Sequence, residues 1–127
     1  SWKKVCERAA LGSILCLSGE TCWEFDSEAL RCLYLAILEE SLKVARADGA
    51  LIESDFKDKM LLKLLSYPKN KGSSMLTDRL NGNPIELGAK SNLIKEVAKT
   101  YTIETPLHNM VVALLEKTNT KVVPDDF

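Results

Sequence analysis

Two groups of residues in this chain have types and spacing that could do chemistry. The first is Lys4 and Arg8, four positions apart and therefore on one face of any helix that carries them. Facing a pocket, the pair is an anion clamp, with Arg8 able to grip a carboxylate through two parallel hydrogen bonds. Facing solvent, it is a basic stripe, with Lys3 and Glu7 as an adjoining ion pair. Gly12, one turn further, leaves the same face without a side chain. The second group is the run from Ser73 to Glu86, S-S-M-L-T-D-R-L-N-G-N-P-I-E. A hydroxyl pair entering a helix can hold an anion, because first-turn N–H groups lack partners and the helix dipole favours negative charge there. A carboxylate arriving after a tight turn, Glu86, can then orient a cation or a hydroxyl beside that anion. Each residue also has a plainer reading. Ser73 and Ser74 serve as helix caps, Asp78 as a solvated acid, Gly82 as a helix stop, and Glu86 as an acid placed well against a helix dipole.

The elements that must position these groups read as helices. Val5, Ala9, Gly12, Ser13 and Cys16 form a small-residue face on a first helix from about Lys3 to Leu17. Leu30, Leu33, Tyr34, Ile37, Leu38, Leu42 and Ala45 make a long amphipathic helix from about Ser27 to Ala47, with Asp26 or Ser27 capping it and Gly49 ending it. Ser54 opens a third helix with a Phe56, Met60, Leu61, Leu64 stripe that Pro68 limits. A further helix runs from about Ile85 to Thr100, with Leu93, Ile94, Val97 and Tyr101 on one face. The last carries Leu107, Met110, Val111, Leu114 and Leu115, with Thr105 as N-cap and Pro106 at the favoured first position. Lys69 to Gly72 reads as a connecting loop, and the one weak strand signal is Lys121 to Val123. The expected fold is an all-α, bundle-like domain spanning residues 1–127.

Composition narrows the function classes. With 127 residues, 46% hydrophobic and 28% charged, the chain is about one soluble globular domain. A net charge of -1 offers no broad attraction to nucleic acid or anionic membrane. No apolar run approaches the roughly 20 residues that span a bilayer. No signal-peptide pattern opens the chain, so the cytoplasm is the expected setting. Cys6, Cys16, Cys22 and Cys32 form no C-x-x-C, and the single histidine, His108, is distant in sequence. Buried or half-buried free thiols are expected, ahead of a disulfide or a metal site. His108 is expected at the surface or rim, and Trp2 and Trp23 in packing roles. The sequence has no dinucleotide fingerprint, no P-loop, no H-E-x-x-H and no G-x-S-x-G. Any cofactor must be held elsewhere.

The Ser73–Glu86 run resembles the S-S-M-x-x-D-x-x-x-G-x-x-x-E signature of the C-terminal domain of the 2-dehydropantoate 2-reductase (ketopantoate reductase) family. Ser73, Ser74, Met75, Asp78, Gly82 and Glu86 fall in register. Trp2-Lys3-Lys4 resembles the family's W-x-K at the domain start. Ala47-Asp48-Gly49 is similar to the A-x-G that ends its long helix, and Thr105-Pro106-Leu107 to its T-P element. The resemblance spans essentially the whole chain. It implies a helical domain similar to the 6-phosphogluconate dehydrogenase C-terminal domain. It also implies an N-terminal Rossmann domain, absent here, that binds NADPH. The implied reaction is reduction of ketopantoate to pantoate in pantothenate synthesis. By resemblance Lys4 is the catalytic lysine, Glu86 a catalytic or substrate-orienting carboxylate, and Ser74 a substrate-binding hydroxyl. Ser73 and Arg8 join the substrate-binding group. The implied partners are a small 2-keto acid and the Rossmann domain. A homodimer is also expected, because a domain parted from its Rossmann partner exposes that interface.

The chain departs from the family where asparagines usually stand four and eight residues after the lysine. Here those positions are Arg8 and Gly12. Ser91-Asn92 stands where the family often has Asn-Gly. Two rivals follow: a related reductase of another 2-keto acid, and a non-catalytic helical interaction module.

Overall fold

The computed structural model describes residues 1–72 and 89–118. Five α-helices lie among the described residues: α1 Trp2–Ser18, α2 Glu28–Ala47, α3 Phe56–Ser66, α4 Ala89–Thr100 and α5 Pro106–Thr118. A short 3₁₀ helix, Cys22–Asp26, joins α1 to α2. No strand occurs among them. The run 73–86, the start of the helix expected from Ile85, and the strand signal at Lys121 to Val123 all lie outside the described residues.

Helix α1 is the centre of the bundle. It packs on α2 along its length, and α4 and α5 pair with each other and against both. Every residue from Ala9 to Cys16 is buried, and the small-residue face at Ala9, Gly12, Ser13 and Cys16 is what lets neighbours approach from several sides. The main core joins Leu11, Ile14 and Leu15 of α1 to Tyr34, Ile37, Leu38, Leu42 and Ala45 of α2, with Phe56, Leu64, Val111 and Leu115 closing it. A second cluster of Ala9, Val44, Ile94 and Ala98 ties α1 and α2 to α4.

The ends of α2 and α4 show the same motif built from different residues. After α2, Ala50 N–H donates to the Ala45 carbonyl and Gly49 N–H to that of Arg46, both at 3.0 Å, with Gly49 left-handed at φ 93°. After α4, Ile103 N–H donates to the Ala98 carbonyl at 3.0 Å and Thr102 N–H to that of Lys99 at 3.3 Å. Both are Schellman closures. The left-handed position after α4, however, is Thr102 at φ 55°. A β-branched residue there is strained, and the following Ile103 packs against the cluster of Ala9, Val44, Ile94 and Ala98.

Several expectations need correction. Ser27 does cap α2, accepting from Leu30 N–H at 3.4 Å, but α3 starts one residue later than expected, with Asp55 rather than Ser54 at its N-cap position. The inward faces of the last two helices are rotated from the expected stripes. Ser91, Ile94 and Ala98 are buried on α4, while Leu93 and Tyr101 are exposed. On α5 the buried set is His108, Val111, Val112 and Leu115, while Met110 and Leu114 are exposed. Trp23 lies 52% exposed with its indole N–H on Glu20, so it is not a packing residue. Trp2 is half-buried and donates to Asp48 at 3.1 Å. Lys3 and Glu7 do not pair. Lys3 reaches Glu53 at 2.9 Å and Glu7 takes Lys63 at 2.9 Å, because the α2–α3 loop and α3 bring opposite charges to them from outside the helix. The hydrogen bond from Lys3 is the main cause that holds the Glu53 carboxyl down at about 2.

Candidate functional site

Helix α1 carries the first predicted group in the expected geometry. Trp2, Lys3 and Lys4 open the helix and Arg8 follows one turn later, within one continuous run of i→i+4 turns. Lys4 and Arg8 are both exposed, and Gly12 on the same side is buried. The face therefore descends from solvent at the two cations into the interior at a position with no side chain. Around them other charges are consumed, Lys3 by Glu53 and Glu7 by Lys63. Among the described residues neither Lys4 nor Arg8 has an ion-pair partner. Two like charges one turn apart repel. Ser73, Ser74 and Glu86, the second predicted group, lie outside the described residues.

Behind this face the structure assembles a group of polar residues that the sequence reading did not single out. His108 is fully buried, contrary to its expected surface position. Its Nε2 lies 2.7 Å from the Ser41 hydroxyl and its Nδ1 lies 3.0 Å from the Ser91 hydroxyl. Ser91 in turn lies 3.4 Å from Ser13 of α1. The direction of the chain follows from the proton count. Ser41 donates its one hydroxyl proton to the Ile37 carbonyl at 2.9 Å, so in its contact with His108 it accepts, and Nε2 carries the ring proton. Nδ1 is then the acceptor and takes the Ser91 proton, which leaves the Ser91 oxygen to accept from Ser13. One hydrogen-bonded line thus runs from α1 through α4 and α5 to α2, with every member satisfied. Burial pushes the imidazole down to about 4, partly offset by a contact with the Ile37 backbone. The neutral ring is therefore the stable form at neutral pH.

Glu40, beside Ser41, holds the start of α5. Its carboxylate accepts from the Leu107 N–H at 3.0 Å and from the His108 N–H at 2.9 Å. The expected capping residue, Thr105, occupies the N-cap position, since its carbonyl accepts from Asn109 N–H at 2.9 Å. Its hydroxyl, however, donates to the Asn109 side chain, and the first-turn amides belong to Glu40. A distant carboxylate reaches them because α2 and α5 pack side by side.

A signal for this buried line did exist in the sequence. Ser41 falls on the stripe of Ile37, Leu38, Leu42 and Ala45, Ser91 precedes Ile94 and Ala98 by three and seven, and His108 precedes Val111 and Leu115 by the same steps. Polar residues in phase with an apolar stripe are buried, and buried polar groups seek one another. None of the four cysteines is in a disulfide; Cys6, Cys16 and Cys22 are buried and Cys32 is exposed. Burial pushes the Cys6 thiol up to about 11, with Arg46 offsetting part of the rise. A cleft of about 280 Å³ between α4 and α5, lined by Lys95, Lys99, Glu104, Thr105 and Asn109, contains none of the predicted site residues. Among the described residues no cluster of His, Cys, Asp and Glu could hold a metal, and no helix is long and apolar enough to cross a membrane.

Residues 1–119 match the family described as "Ketopantoate reductase PanE/ApbA C terminal". The chain belongs to that family. A 2-dehydropantoate 2-reductase of Mycobacterium tuberculosis is 31% identical over 115 residues, covering 91% of this chain and 39% of that protein. One from Caulobacter vibrioides is 30% identical over 118 residues, again covering 91% and 39%. The fold overlays that of a dimeric ketopantoate reductase from Staphylococcus aureus with a TM-score of 0.86 at 24% identity, covering 93% of this chain and 41% of that one. This ketopantoate-reductase-family domain thus spans about two-fifths of the length of the relatives it matches. Its all-α architecture is the one the Ser73–Glu86 signature and its flanking matches implied.

Proposed function

We propose that this domain is the substrate-binding and catalytic half of an NADPH-dependent 2-dehydropantoate 2-reductase, converting ketopantoate to pantoate. The observation that carries the reading is Lys4, an exposed lysine at the opening of α1 in a chain that matches the family from residue 1. The described residues offer no strand and no glycine-rich strand-to-helix turn to cradle a dinucleotide. On this reading a nicotinamide cofactor would be held by the family's Rossmann domain and would supply the hydride.

The chain's own residues then have the following work. As a keto carbon is reduced, negative charge grows on its oxygen. The Lys4 ammonium stabilises that charge and delivers the proton that completes the alcohol. Glu86 is the carboxylate assigned to orient the substrate or the lysine. Ser74, with Ser73, donates to the substrate carboxylate or hydroxyl, and Arg8 adds a cation one turn along the helix. The hydrogen-bonded line from Ser13 to Ser41 keeps α1 in register with the other three helices, so that Lys4 meets the substrate in one orientation. The free thiols suit a reducing, cytoplasmic setting. The partners are the Rossmann domain and, as in the Staphylococcus aureus protein, a second copy.

The test joins this domain to its native upstream sequence and follows NADPH oxidation with ketopantoate. Lys4→Ala is expected to lower kcat by about 10²–10⁴-fold, the range for a lost general acid. Unimpaired turnover by that variant would remove Lys4 from the chemistry. The isolated domain is expected to be inactive.

A further inference from the structure

The first turn of α1, which carries Lys4, is held from outside its own helix. We propose, resting on the reductase reading above, that Asp48 is a positioning residue for the reaction: its carboxylate holds the Trp2 indole and thereby fixes where Lys4 stands.

A helix start is loosely constrained, because its first four N–H groups have no partner within the helix. A capping side chain or an acid in the first turn is the usual local remedy. Helix α1 has neither among the described residues: Ser1 at the N-cap position makes no side-chain cap bond, and the first turn holds no acidic residue. The turn takes its anchors from distant elements instead. The Trp2 indole N–H donates to Asp48 Oδ2 at 3.1 Å, and the ring packs against both the main core and the second cluster. Lys3 pairs with Glu53 at 2.9 Å. Val5, on the other side of Lys4, packs against the second cluster. The backbone at Lys4 is thus fixed from both sides, while its side chain stays exposed.

Asp48 is itself rigidly placed. It sits in the Schellman closure of α2, where its N–H donates to the Val44 carbonyl at 3.0 Å and Gly49 and Ala50 complete the turn. Its other carboxylate oxygen, Oδ1, accepts from the Tyr101 hydroxyl at 2.6 Å, just past the end of α4. A carboxylate with each oxygen on a different donor has one orientation. Asp48 therefore ties the start of α1 to the ends of α2 and α4, and Lys4 inherits that position two residues from Trp2. In the reductase reading Lys4 acts as charge grows on the keto oxygen, so a displaced Lys4 slows the chemical step and leaves binding alone.

The experiment uses the full-length native protein with NADPH and ketopantoate, measuring kcat and KM separately at a temperature where a thermal scan shows each variant folded. Asp48→Ala is expected to lower kcat by about tenfold to a hundredfold, the range for a reacting group displaced by an ångström or less, with KM little changed. Trp2→Phe keeps the ring in its packing and removes only the N–H, so it should lower kcat in the same sense and keeps the question open to measurement if Asp48→Ala does not fold. Asp48→Asn should recover part of the loss, because a carboxamide can accept from Trp2 and donate to Tyr101. In the Lys4→Ala background Asp48→Ala should add little, since its effect passes through the lysine. Native kcat in both Asp48→Ala and Trp2→Phe overturns the proposal. So does a loss confined to KM, or one that multiplies that of Lys4→Ala in the double variant. Impaired Lys4→Ala beside native Asp48 and Trp2 variants sinks the positioning role alone; normal turnover by Lys4→Ala removes the role of Lys4 and this proposal with it.

Discussion

Lowering the pH should destabilise this domain through His108 by an amount the structure sets. The imidazole is fully buried, accepts from Ser91 at Nδ1 and donates to Ser41 at Nε2, and burial lowers it from 6.5 to about 4. In the unfolded chain it titrates near 6.5. Above that value both states hold a neutral ring and stability is complete. Between 6.5 and 4 the unfolded state binds the proton and the folded state resists it, so stability falls as pH falls, by up to about 1.4 kcal/mol per unit. Below 4 both states are protonated and the loss is complete at about 3 kcal/mol. From pH 7.5 to 5 the expected loss is about 2 kcal/mol from this group alone. Urea unfolding followed by tryptophan fluorescence at several pH values measures the total. The same series on His108→Gln isolates the histidine, because glutamine keeps one donor and one acceptor but cannot titrate. Carboxylates that titrate in the same range, including Glu24, which burial pushes up, cancel in the difference between the two proteins. If the native protein and His108→Gln lose stability in parallel between pH 7.5 and 5, the buried neutral ring is not what the chain folds around.

Two further outcomes test other parts of the fold. Glu40→Ala leaves the first-turn amides of α5 without their carboxylate and should cost about 2 kcal/mol, while Glu40→Gln, which retains one acceptor oxygen, should cost about half as much; equal stability of all three in urea would show that the carboxylate contributes no capping energy. Thr102→Gly relieves a β-branched residue at φ 55° and should stabilise by about 0.5–1 kcal/mol after the greater backbone freedom of glycine in the unfolded chain is counted. A lower midpoint for that variant would mean the Thr102 side chain contributes more than its backbone costs.

The limits of α2 and the start of α5 were readable because local rules set them. Ser27 and Gly49 bracket α2 as capping and left-handed closure require, and Pro106 opens α5 where its missing N–H costs nothing. The end of α4 at Thr100 was placed correctly as well, although its closure uses Thr102 where glycine is the usual sign. The Lys4–Arg8–Gly12 face was legible for the same reason that any helical face is, four residues returning the chain to one side. The buried line was legible only in part. Ser41, Ser91 and His108 stood in phase with apolar stripes, but nothing in the chain stated that their three stripes meet.

The sequence by itself determined that the chain is helical, where most helices begin and end, and which family it joins, because each rests on residues a few positions apart or on a linear signature. Tertiary structure decided which side of each helix faces inward. Helix α5 has apolar residues at Leu107, Met110, Val111, Val112, Ala113, Leu114 and Leu115, so its own periodicity allows several orientations. Contact with α1, α2 and α4 chose the one that buries His108 and exposes Met110 and Leu114. Packing likewise sent Lys3 to Glu53 and Lys63 to Glu7. Charge pairing and hydrogen bonding act over a few ångströms of space, and only the folded chain sets those distances.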